Sequence, residues 1–415
     1  ETVGYPALVR PSYVLGGRAM EIVYSEEDLR RAMLEMAEFG SLGREGGLSA
    51  DRPVLIDRFL EDAIEVDVDA IRDAAGEVLI GAVMEHVEEA GVHSGDSACA
   101  IPPQTLGADT VTTIEDHTAS IARALEVVGP INVQFAVKKA ATPTAGGDPG
   151  DDVYVIEANP RASRTVPFVS KATGVPLAQL AARVMAGSLL ADLRTEGLLV
   201  EPAGGGHVSV KEAVLPFSRF PEADTLLGPE MRSTGEVMGI DKTFGLAFAK
   251  SQDAAGDRLV SSGTVFFSLA DRDKAAGVDI ARRFAELGFT LAATDGTAEF
   301  FEAAGVQVAT RVAKVGEGSP RSPGGPPGAG RGPDAAALIR DGKVQLVVNT
   351  PRGRGPRADG AYIRRAANSH RVACLTTLAA ARAAVGGIAE RGIEPLQVKS
   401  LQEHHQLRPG TRRDA

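Results

Sequence analysis

Apolar and polar positions alternate in different rhythms along the chain, and each rhythm predicts an element. Ala7 to Arg10 reads as a short strand, Pro11 to Arg18 as a glycine-bearing turn, and Met20 to Tyr24 as the returning strand. From Glu26 to Phe39 the spacing is helical: Leu29, Met33, Met36 and Ala37 share a face, with Ser25 placed to cap it. Val54 to Ile56 predicts a strand. Ala63 to Ile71 sets Ile64, Val66 and Val68 against Glu65, Asp67 and Asp69, which predicts a half-exposed strand. Val78 to Val83 is its expected partner. Thr112 to Val128 reads as a helix with Ile114, Ile121, Leu125 and Val128 inward. Ile131 to Val137 and Val153 to Ile156 read as a strand pair, joined by the tolerant Gly/Pro/Ala-rich loop Ala140 to Gly150. Leu177 to Ala186 is helical.

Glu196 to Gln252 is less periodic, with a break at Gly204 to Gly206 and a strand near His207 to Val214. Beyond it the pattern changes. Strands are predicted at Val265–Ser268, Phe289–Ala292, Val306–Val308, Leu346–Val348 and Val372–Leu375. Helices are predicted at Lys274–Leu287, Thr297–Ala304, Pro333–Arg340, Ile363–Ser369 and Leu378–Val385. This regular β/α alternation defines a doubly wound parallel-sheet domain. The Pro/Gly/Ser/Arg-rich segment Glu317–Pro333 is expected to be mobile, and Gln402 to Ala415 to be a loose tail.

One stretch carries chemistry on its face. Val153 to Ile156, β-branched or aromatic, read as a buried strand, and Glu157 and Asn159 follow at spacing two, so both point to one face. Pro160 ends the strand, and Arg161 and Arg164 come next. A carboxylate, an amide oxygen and two guanidinium groups at one strand end suit a magnesium-nucleotide site: magnesium takes oxygen ligands, and arginine forks bind phosphate or carboxylate. The alternative is a polar loop after a core strand, with Glu157 paired to an arginine.

Composition narrows the classes. The 415 residues are 44% hydrophobic and 24% charged, ordinary for a soluble globular chain of two or three domains. A net charge of −11 argues against the basic footprint of a nucleic-acid binder. No apolar run is long enough for a membrane span and no signal peptide is visible, so a cytoplasmic location is expected. Cys99 and Cys374 form no motif and are expected to be buried thiols. The chain opens on Glu1 in structured-looking sequence without an initiator methionine, so it is expected to be the C-terminal piece of something longer.

Six stretches, in order, are long and specific: Val9 to Met20 (VRPSYVLGGRAM), Met84 to Ser97 (MEHVEEAGVHSGDS), Asn132 to Ala136 (NVQFA), Glu157 to Arg161 (EANPR), Val166 to Gly174 (VPFVSKATG) and Gly228 to Met238 (GPEMRSTGEVM). Through them the chain resembles the C-terminal part of the carbamoyl phosphate synthetase large-subunit family, from Glu1 to about His404. The resemblance implies an α/β chain: an α+β ATP-grasp domain over residues 1–187, truncated at its start, and a connecting region over 188–256 packed on it. A doubly wound, methylglyoxal-synthase-like allosteric domain follows over 257–395, then a tail over 396–415. It implies phosphorylation of carbamate by ATP, with magnesium or manganese, and potassium as a further candidate cation. The overall reaction would use bicarbonate, glutamine-derived ammonia and two ATP, and feed pyrimidine and arginine synthesis. The implied partners are a glutaminase small subunit and the absent N-terminal half of the large subunit.

Site roles are carried by the same resemblance. Arg10 contacts ATP phosphates beneath a flexible loop at Gly16 and Gly17, where glycine lets backbone N–H groups approach phosphate. Arg58 and Leu60 read the adenine edge through their backbone, and Glu65 accepts the ribose hydroxyls; without the resemblance, Glu65 is a solvated strand residue. Gly91, Val92, His93 and Ser94 match nucleotide-binding positions. His93 sits among Glu85, Glu88, Glu89 and Asp96, either a surface acid patch or a place for a cation or an amine-bearing effector, which the family's larger relatives imply for Glu88, Asp96 and Glu212. Gln134, Glu157 and Asn159 match the metal ligands, and Arg161 and Arg164 hold carbamate and the transferring phosphoryl group, a reaction that needs mostly positioning and charge stabilisation. Lys274, Thr294, Thr297, Lys314, Asn349 and Thr350 match the phosphate positions of a nucleotide monophosphate effector such as UMP or IMP. Pro351 departs from the hydroxyl residue common there. Alternative readings are a non-catalytic nucleotide-sensing fragment, another ATP-grasp ligase such as a carboxylase, which the alternating C-terminal domain argues against, and a methylglyoxal synthase, which would not need the ATP-grasp portion.

Overall fold

The computed structural model describes residues 3–12, 19–41, 53–139, 150–199, 206–220, 223–312, 334–350, 359–393 and 396–405. Gly16, Gly17, Lys314, Pro351 and the segment Glu317–Pro333 lie outside them. The chain divides into two compact units, Glu1–Gly205 with Leu227–Ser233 and Ser400–Ala415, and Gly206–Leu226 with Thr234–Lys399.

The first unit opens with β1 (Ala7–Pro11), β2 (Glu21–Val23), α1 (Glu26–Ser41) and β3 (Val54–Arg58). The strands form an antiparallel sheet in the order β2-β1-β3. Ser25 Oγ accepts from the Asp28 backbone N–H at 3.1 Å, the cap the sequence called for. The helix buries Ala32 and Met36 against Ala7, Val9 and Val23, with Leu29 and Met33 at the margin. Ala37, expected on that face, is exposed; Ala32 takes its place.

A larger antiparallel sheet follows: β4 (Ala63–Arg72), β5 (Val78–Glu89), β6 (Cys99–Ile101), α2 (Ala108–Ala124), β7 (Gly129–Lys138) and β8 (Asp152–Asn159). Within this unit the order is β6-β5-β4-β7-β8. One face of β4 and β7, from Val66, Val68, Val133, Phe135 and Val137, packs on Ile114 and Ala122 of α2. The helix starts and stops earlier than its apolar spacing predicts. Leu125 and Val128 lie beyond its end and are exposed, and Val127 enters the core instead.

The opposite face of β4 is covered as well, by α3 (Val166–Thr173) and α4 (Leu177–Met185), which pack on β5, β4 and β7. Glu65, Asp67 and Asp69 are buried, not half-exposed: His86 lies beside Glu65 and Asp67, and Ser163 and Thr165 sit on Asp69. The strand Val153–Ile156 is corrected in the other sense. β8 ends the sheet on this side, and Tyr154, Val155 and Ile156 are each more than 40% exposed. A short α5 (Leu190–Thr195) is tied back when the Leu190 N–H donates to Asp73 Oδ2 at 2.9 Å. The expected loose tail begins as a helical turn, Leu401–His404, capped by Ser400, and His405 Nε2 lies 2.7 Å from the Lys171 carbonyl.

The second unit starts with a pair that sequence rhythm only half revealed. β9 (Val208–Val214) and β10 (Gly235–Asp241) are antiparallel, and α6 (Phe244–Ala255) lies on them. A Cβ at Gly239 would stand 2.0 Å from the Ala247 carbonyl oxygen, so only glycine permits this approach. Then come β11 (Thr264–Ser268), α7 (Lys274–Glu286), β12 (Thr290–Thr294), α8 (Asp295–Ala303) and β13 (Thr310–Val312), and after them α9 (Ala335–Arg340), β14 (Leu346–Asn349), α10 (Asp359–Ser369), β15 (Ala373–Leu375) and α11 (Leu378–Arg391). The sheet is parallel, in the order β13-β12-β11-β14-β15. Phe266 and Phe267 show why it is wound on both faces. Successive side chains point to opposite sides: Phe266 packs with Ala335, Leu338, Ile339 and Ile363 of α9 and α10. Phe267 packs edge-on to Phe284 of α7 and Phe301 of α8, at 6.0 and 5.4 Å between centroids. β13 begins four residues later than the predicted Val306–Val308 strand; Val306 is buried in the turn before it.

Candidate functional site

Three strands build the first site row by row. On β4, β7 and β8, Asp67, Gln134 and Glu157 are direct cross-strand neighbours. One step along, so are Asp69, Asn132 and Asn159. Residues two apart on a strand share a face, so the two rows stack on one side of the sheet, opposite α2. The register slips beyond the Gln134–Glu157 pair, where Phe135 faces Val155 and Ile156 is the extra residue of a β-bulge.

The outer ends of these rows are open and the inner ends are buried. Glu157 is exposed and Asn159 and Gln134 are half-buried. Asn159 Nδ2 donates to Glu157 Oε1 at 2.8 Å, and Gln134 Nε2 donates to Ser94 Oγ at 3.1 Å. Both amide nitrogens are thus engaged, and the amide oxygens are the atoms that remain for a cation. One carboxylate and two amide oxygens are hard donors of the kind magnesium accepts beside substrate phosphates. Among the described residues, no cluster of three or more His, Cys, Asp or Glu side chains makes a rival metal site.

Directly after Asn159 the chain turns: the Arg161 N–H donates to the Asn159 carbonyl at 2.8 Å. Arg161 and Arg164 are exposed, and the Arg164 guanidinium touches Met231 Sδ. The turn is pinned from beneath. Asp69 Oδ2 accepts from Ser163 Oγ and Thr165 Oγ1 at 2.8 and 2.7 Å, and Asp69 Oδ1 accepts from Asn132 Nδ2 at 3.0 Å. Burial raises the Asp69 carboxyl above its ordinary value, and these hydrogen bonds oppose that rise.

The loop 91–97 closes another side. Gly91 has φ +96°, and a Cβ there would meet Phe59 at 2.7 Å. Its N–H donates to Glu65 Oε2 at 3.1 Å. His93 Nδ1 accepts from the Gly95 N–H at 3.0 Å, which assigns the ring proton of the neutral imidazole to Nε2. Burial lowers the His93 pKa, so the neutral ring is favoured. Ser94 of the same loop meets Gln134, as above. Of the acidic residues around it, Glu85 accepts from the backbone of Gln104, Thr105 and Leu106, Glu88 from Ala98, and Asp96 from Arg232 and Ser233. Glu212, in the other unit, accepts from Gln252 Nε2.

Glu65 is only 5% exposed, so its solvated alternative is excluded. Burial pushes its carboxyl up to about 7. Beside it lies His86, which sequence reasoning did not single out. Its Nε2 is 3.3 Å from Asp67 Oδ2 and its Nδ1 is 3.9 Å from Glu65 Oε1. Burial opposes a proton on His86, but Cys99, Asp67 and Glu65 outweigh it and hold the ring well above its ordinary value. Asp67 Oδ1 and His86 Nδ1 are buried without a hydrogen-bond partner. Arg10 pairs with Asp57 across β1 and β3 at 2.9 Å. Arg58 ends β3, exposed, and Leu60 is half-buried in the link to β4.

In the second unit Ser268, Thr294 and Asn349 end three adjacent parallel strands, β11, β12 and β14. The chain winds outward in both directions from β11, so the crevice beside it is the switch point where such sheets bind ligands. Thr294 stands at the N-cap position of α8 without a side-chain capping bond, and its Oγ1 donates to Thr297 Oγ1 at 3.1 Å. Thr297 Oγ1 also accepts from the Leu269 N–H, and Thr350 Oγ1 from the Ala270 N–H. Lys274 Nζ pairs with Asp271 at 2.7 Å and lies 3.2 Å from where a Cβ on Gly296 would be, next to the N-terminus of α8. Five of the six predicted positions are thus brought to one sheet end; Lys274, Thr294, Thr297, Asn349 and Thr350 are those five. Arg364, buried on α10, was missed. It donates to Asn349 Oδ1 at 2.8 Å and makes a two-pronged pair with Asp224 at 2.7 Å for each bond. Arg364 outweighs burial and holds the Asp224 carboxyl below its usual range.

Comparison with known proteins defines the class. Residues 1–193 match the family "Carbamoyl-phosphate synthase L chain, ATP binding domain", and residues 276–376 match the "MGS-like domain". A match to an ATP-binding-domain family is thus followed along the chain by a match to an MGS-like one. It is 52% identical over all of its length to the carbamoyl phosphate synthase large chain of Mycobacterium tuberculosis, covering 36% of that protein. It is 49% identical over 97% of its length to the large chain of Synechocystis sp., covering 34% of that protein. The chain belongs to the carbamoyl phosphate synthase large-chain family and spans about a third of the length of the curated relatives it matches. Among solved structures, the biotin carboxylase domain of Hydrogenobacter thermophilus 2-oxoglutarate carboxylase has a TM-score of 0.44 at 16% identity, covering 61% of this chain and 57% of that one, too distant to carry an argument.

Proposed function

We propose that this chain supplies the carbamate-phosphorylating site and the effector domain of a glutamine-dependent carbamoyl phosphate synthase, an ATP-dependent ligase. What carries the reading is the pair of rows on β4, β7 and β8. They set Gln134, Glu157 and Asn159 on one face, immediately before the turn bearing Arg161 and Arg164, in a chain about half identical to the large chains along its whole length.

In this reading Glu157 with the amide oxygens of Gln134 and Asn159 holds magnesium, with manganese able to substitute, and the cation supplies charge neutralisation at the nucleotide phosphates. Arg161 and Arg164 hold carbamate and the phosphoryl oxygens in line. Arg10, the Gly16–Gly17 loop, and Gly91, Val92, His93 and Ser94 surround the nucleotide phosphates; the backbone of Arg58 and Leu60 meets adenine, and Glu65 the ribose. His93 Nε2–H is a neutral donor, suited to a phosphate oxygen. Transfer of the γ-phosphoryl group needs positioning and charge stabilisation, and no protein nucleophile takes part. Potassium, a cytoplasmic location and the domain division 1–187, 188–256, 257–395 and 396–415 belong to the same reading. So do the partners, a glutaminase small subunit and the remainder of the large subunit. Lys274, Thr294, Thr297, Lys314, Asn349 and Thr350 bind the phosphate of a nucleotide monophosphate such as UMP or IMP. No helix among the described residues is long and apolar enough to cross a membrane. Formation of ATP from magnesium-ADP and carbamoyl phosphate tests the reading, since it needs neither glutamine nor bicarbonate.

A further inference from the structure

We propose that Asp69 is the positioning residue for Arg161 and Arg164, fixing the arginine turn to the floor of the sheet. The proposal rests on the reading of those arginines as the carbamate and phosphoryl clamp.

Asp69 lies on β4, the central strand of the first unit's larger sheet, and is 2% exposed. Its Oδ2 accepts two hydroxyl hydrogen bonds from the turn, from Ser163 Oγ and Thr165 Oγ1. Those hydroxyls are themselves 2.7 Å apart, so one carboxylate oxygen gathers both into a single network. Oδ1 accepts from Asn132 Nδ2 on β7, and Asn132 pairs in register with Asn159 on β8. The carboxylate thus joins the strand carrying one candidate metal ligand to the turn carrying both arginines. Ser163 lies between Arg161 and Arg164, and Thr165 directly follows Arg164 and is the N-cap of α3. Holding 163 and 165 fixes the backbone on both sides of Arg164, while the exposed guanidinium groups stay available. Neither hydroxyl is aimed at the open side of the site; both are spent on Asp69. A buried carboxylate has few ways to be satisfied, and hydrogen bonds to a charged acceptor are short and strong. A site whose charged groups project from a turn needs such a support to hold them within reach of the reacting atoms.

The test uses the full-length protein with its partner subunit. Asp69→Asn keeps size but exchanges an accepting oxygen for an N–H donor, and Asp69→Ala removes the contact. Two readouts are taken. The first is amide hydrogen exchange from Arg161 to Val169, which reports the turn whatever the reaction is. The second is steady-state kinetics of ATP formation, with KM for carbamoyl phosphate and for magnesium-ADP measured separately. Exchange at the Arg161 and Val169 amides is expected to quicken at least ~10-fold in Asp69→Ala, since opening the turn becomes local. kcat/KM for carbamoyl phosphate is expected to fall ~100-fold, the scale for misplacing a clamp by about an ångström. KM for magnesium-ADP should stay within about twofold, and Asp69→Asn should fall between the two. A purely structural role would lower the melting temperature and move both KM values together. Unchanged exchange, or equal losses toward both substrates, in Asp69→Asn that melts like the parent overturns the proposal. If the parent makes no ATP, the functional reading fails; the exchange data then decide separately whether Asp69 holds the turn.

Discussion

Gln134 of β7 stands directly opposite Glu157 of β8, at the last regular rung before the bulge at Ile156. Gln134 is also held from the loop side by Ser94. It therefore links the strand that carries the one carboxylate of the candidate metal set to the loop that would cover the phosphates. Gln134→Ala is expected to raise the magnesium concentration needed for half-maximal ATP formation ~10-fold, the range seen when a ligand or its support is lost. Titration with magnesium at saturating ADP checks this; an unchanged magnesium dependence assigns Gln134 to the loop alone.

Burial places the Glu65 carboxyl at about 7 instead of its ordinary 4.5. Between those values the folded chain keeps a proton that the unfolded chain has released. The stability this gives is complete below about 4.5 and is lost as pH rises through 7. Full titration of the shift corresponds to about 3 kcal/mol. Glu65→Gln, which cannot titrate, is expected to lose less stability than the parent between pH 5 and pH 8, as followed by chemical denaturation at each pH. Parallel curves for the two proteins contradict the shift.

Arg364 ties the second unit's candidate pocket together, with Asn349 on one nitrogen and Asp224 on the other two. Replacing it by Met removes the two-pronged ion pair from a partly buried Asp224, a change that costs about 3 kcal/mol or more when such a pair is broken. UMP is expected to raise the melting temperature of the parent and to fail to do so in Arg364→Met. Asn349→Ala, which spares the ion pair, is expected to weaken UMP at least ~10-fold, the loss of about 1.4 kcal/mol of hydrogen bonding. Differential scanning fluorimetry over a UMP series measures both. A full UMP response in both variants removes the effector assignment.

The site's local grammar was legible from the sequence. Glu157 and Asn159 at spacing two, Pro160 as a stop, and two arginines after it needed only the period of a strand. Thr294 and Thr297 were picked out by the family resemblance, and a strand end running into a helix start supplied only the physical reason for an anion pocket there. What was hidden depends on contacts between distant residues. Glu65, Asp67 and Asp69 alternate with apolar residues as a half-exposed strand does, yet they are covered by His86 and Gly91 and by the turn at Ser163 and Thr165. Val153 to Ile156 look like core, and periodicity does not say that the sheet ends at β8. Asp69 meets Asn132, Ser163 and Thr165 across 63, 94 and 96 residues, so no motif announces it. Arg364 reaches Asp224 over 140 residues, and its role was invisible for the same reason. The unnoticed pair β10 and α6 lies where glycines such as Gly239 break the apolar rhythm in order to let backbones touch.

Conversion of magnesium-ADP and carbamoyl phosphate to ATP, in the parent and in Glu157→Gln, tests the central claim most directly. The account predicts ATP from the full-length parent and at least a ~100-fold lower rate in Glu157→Gln, the scale for removing one key electrostatic stabiliser. A Glu157→Gln protein that turns over like its parent would contradict the metal assignment, and with it the site built on β4, β7 and β8.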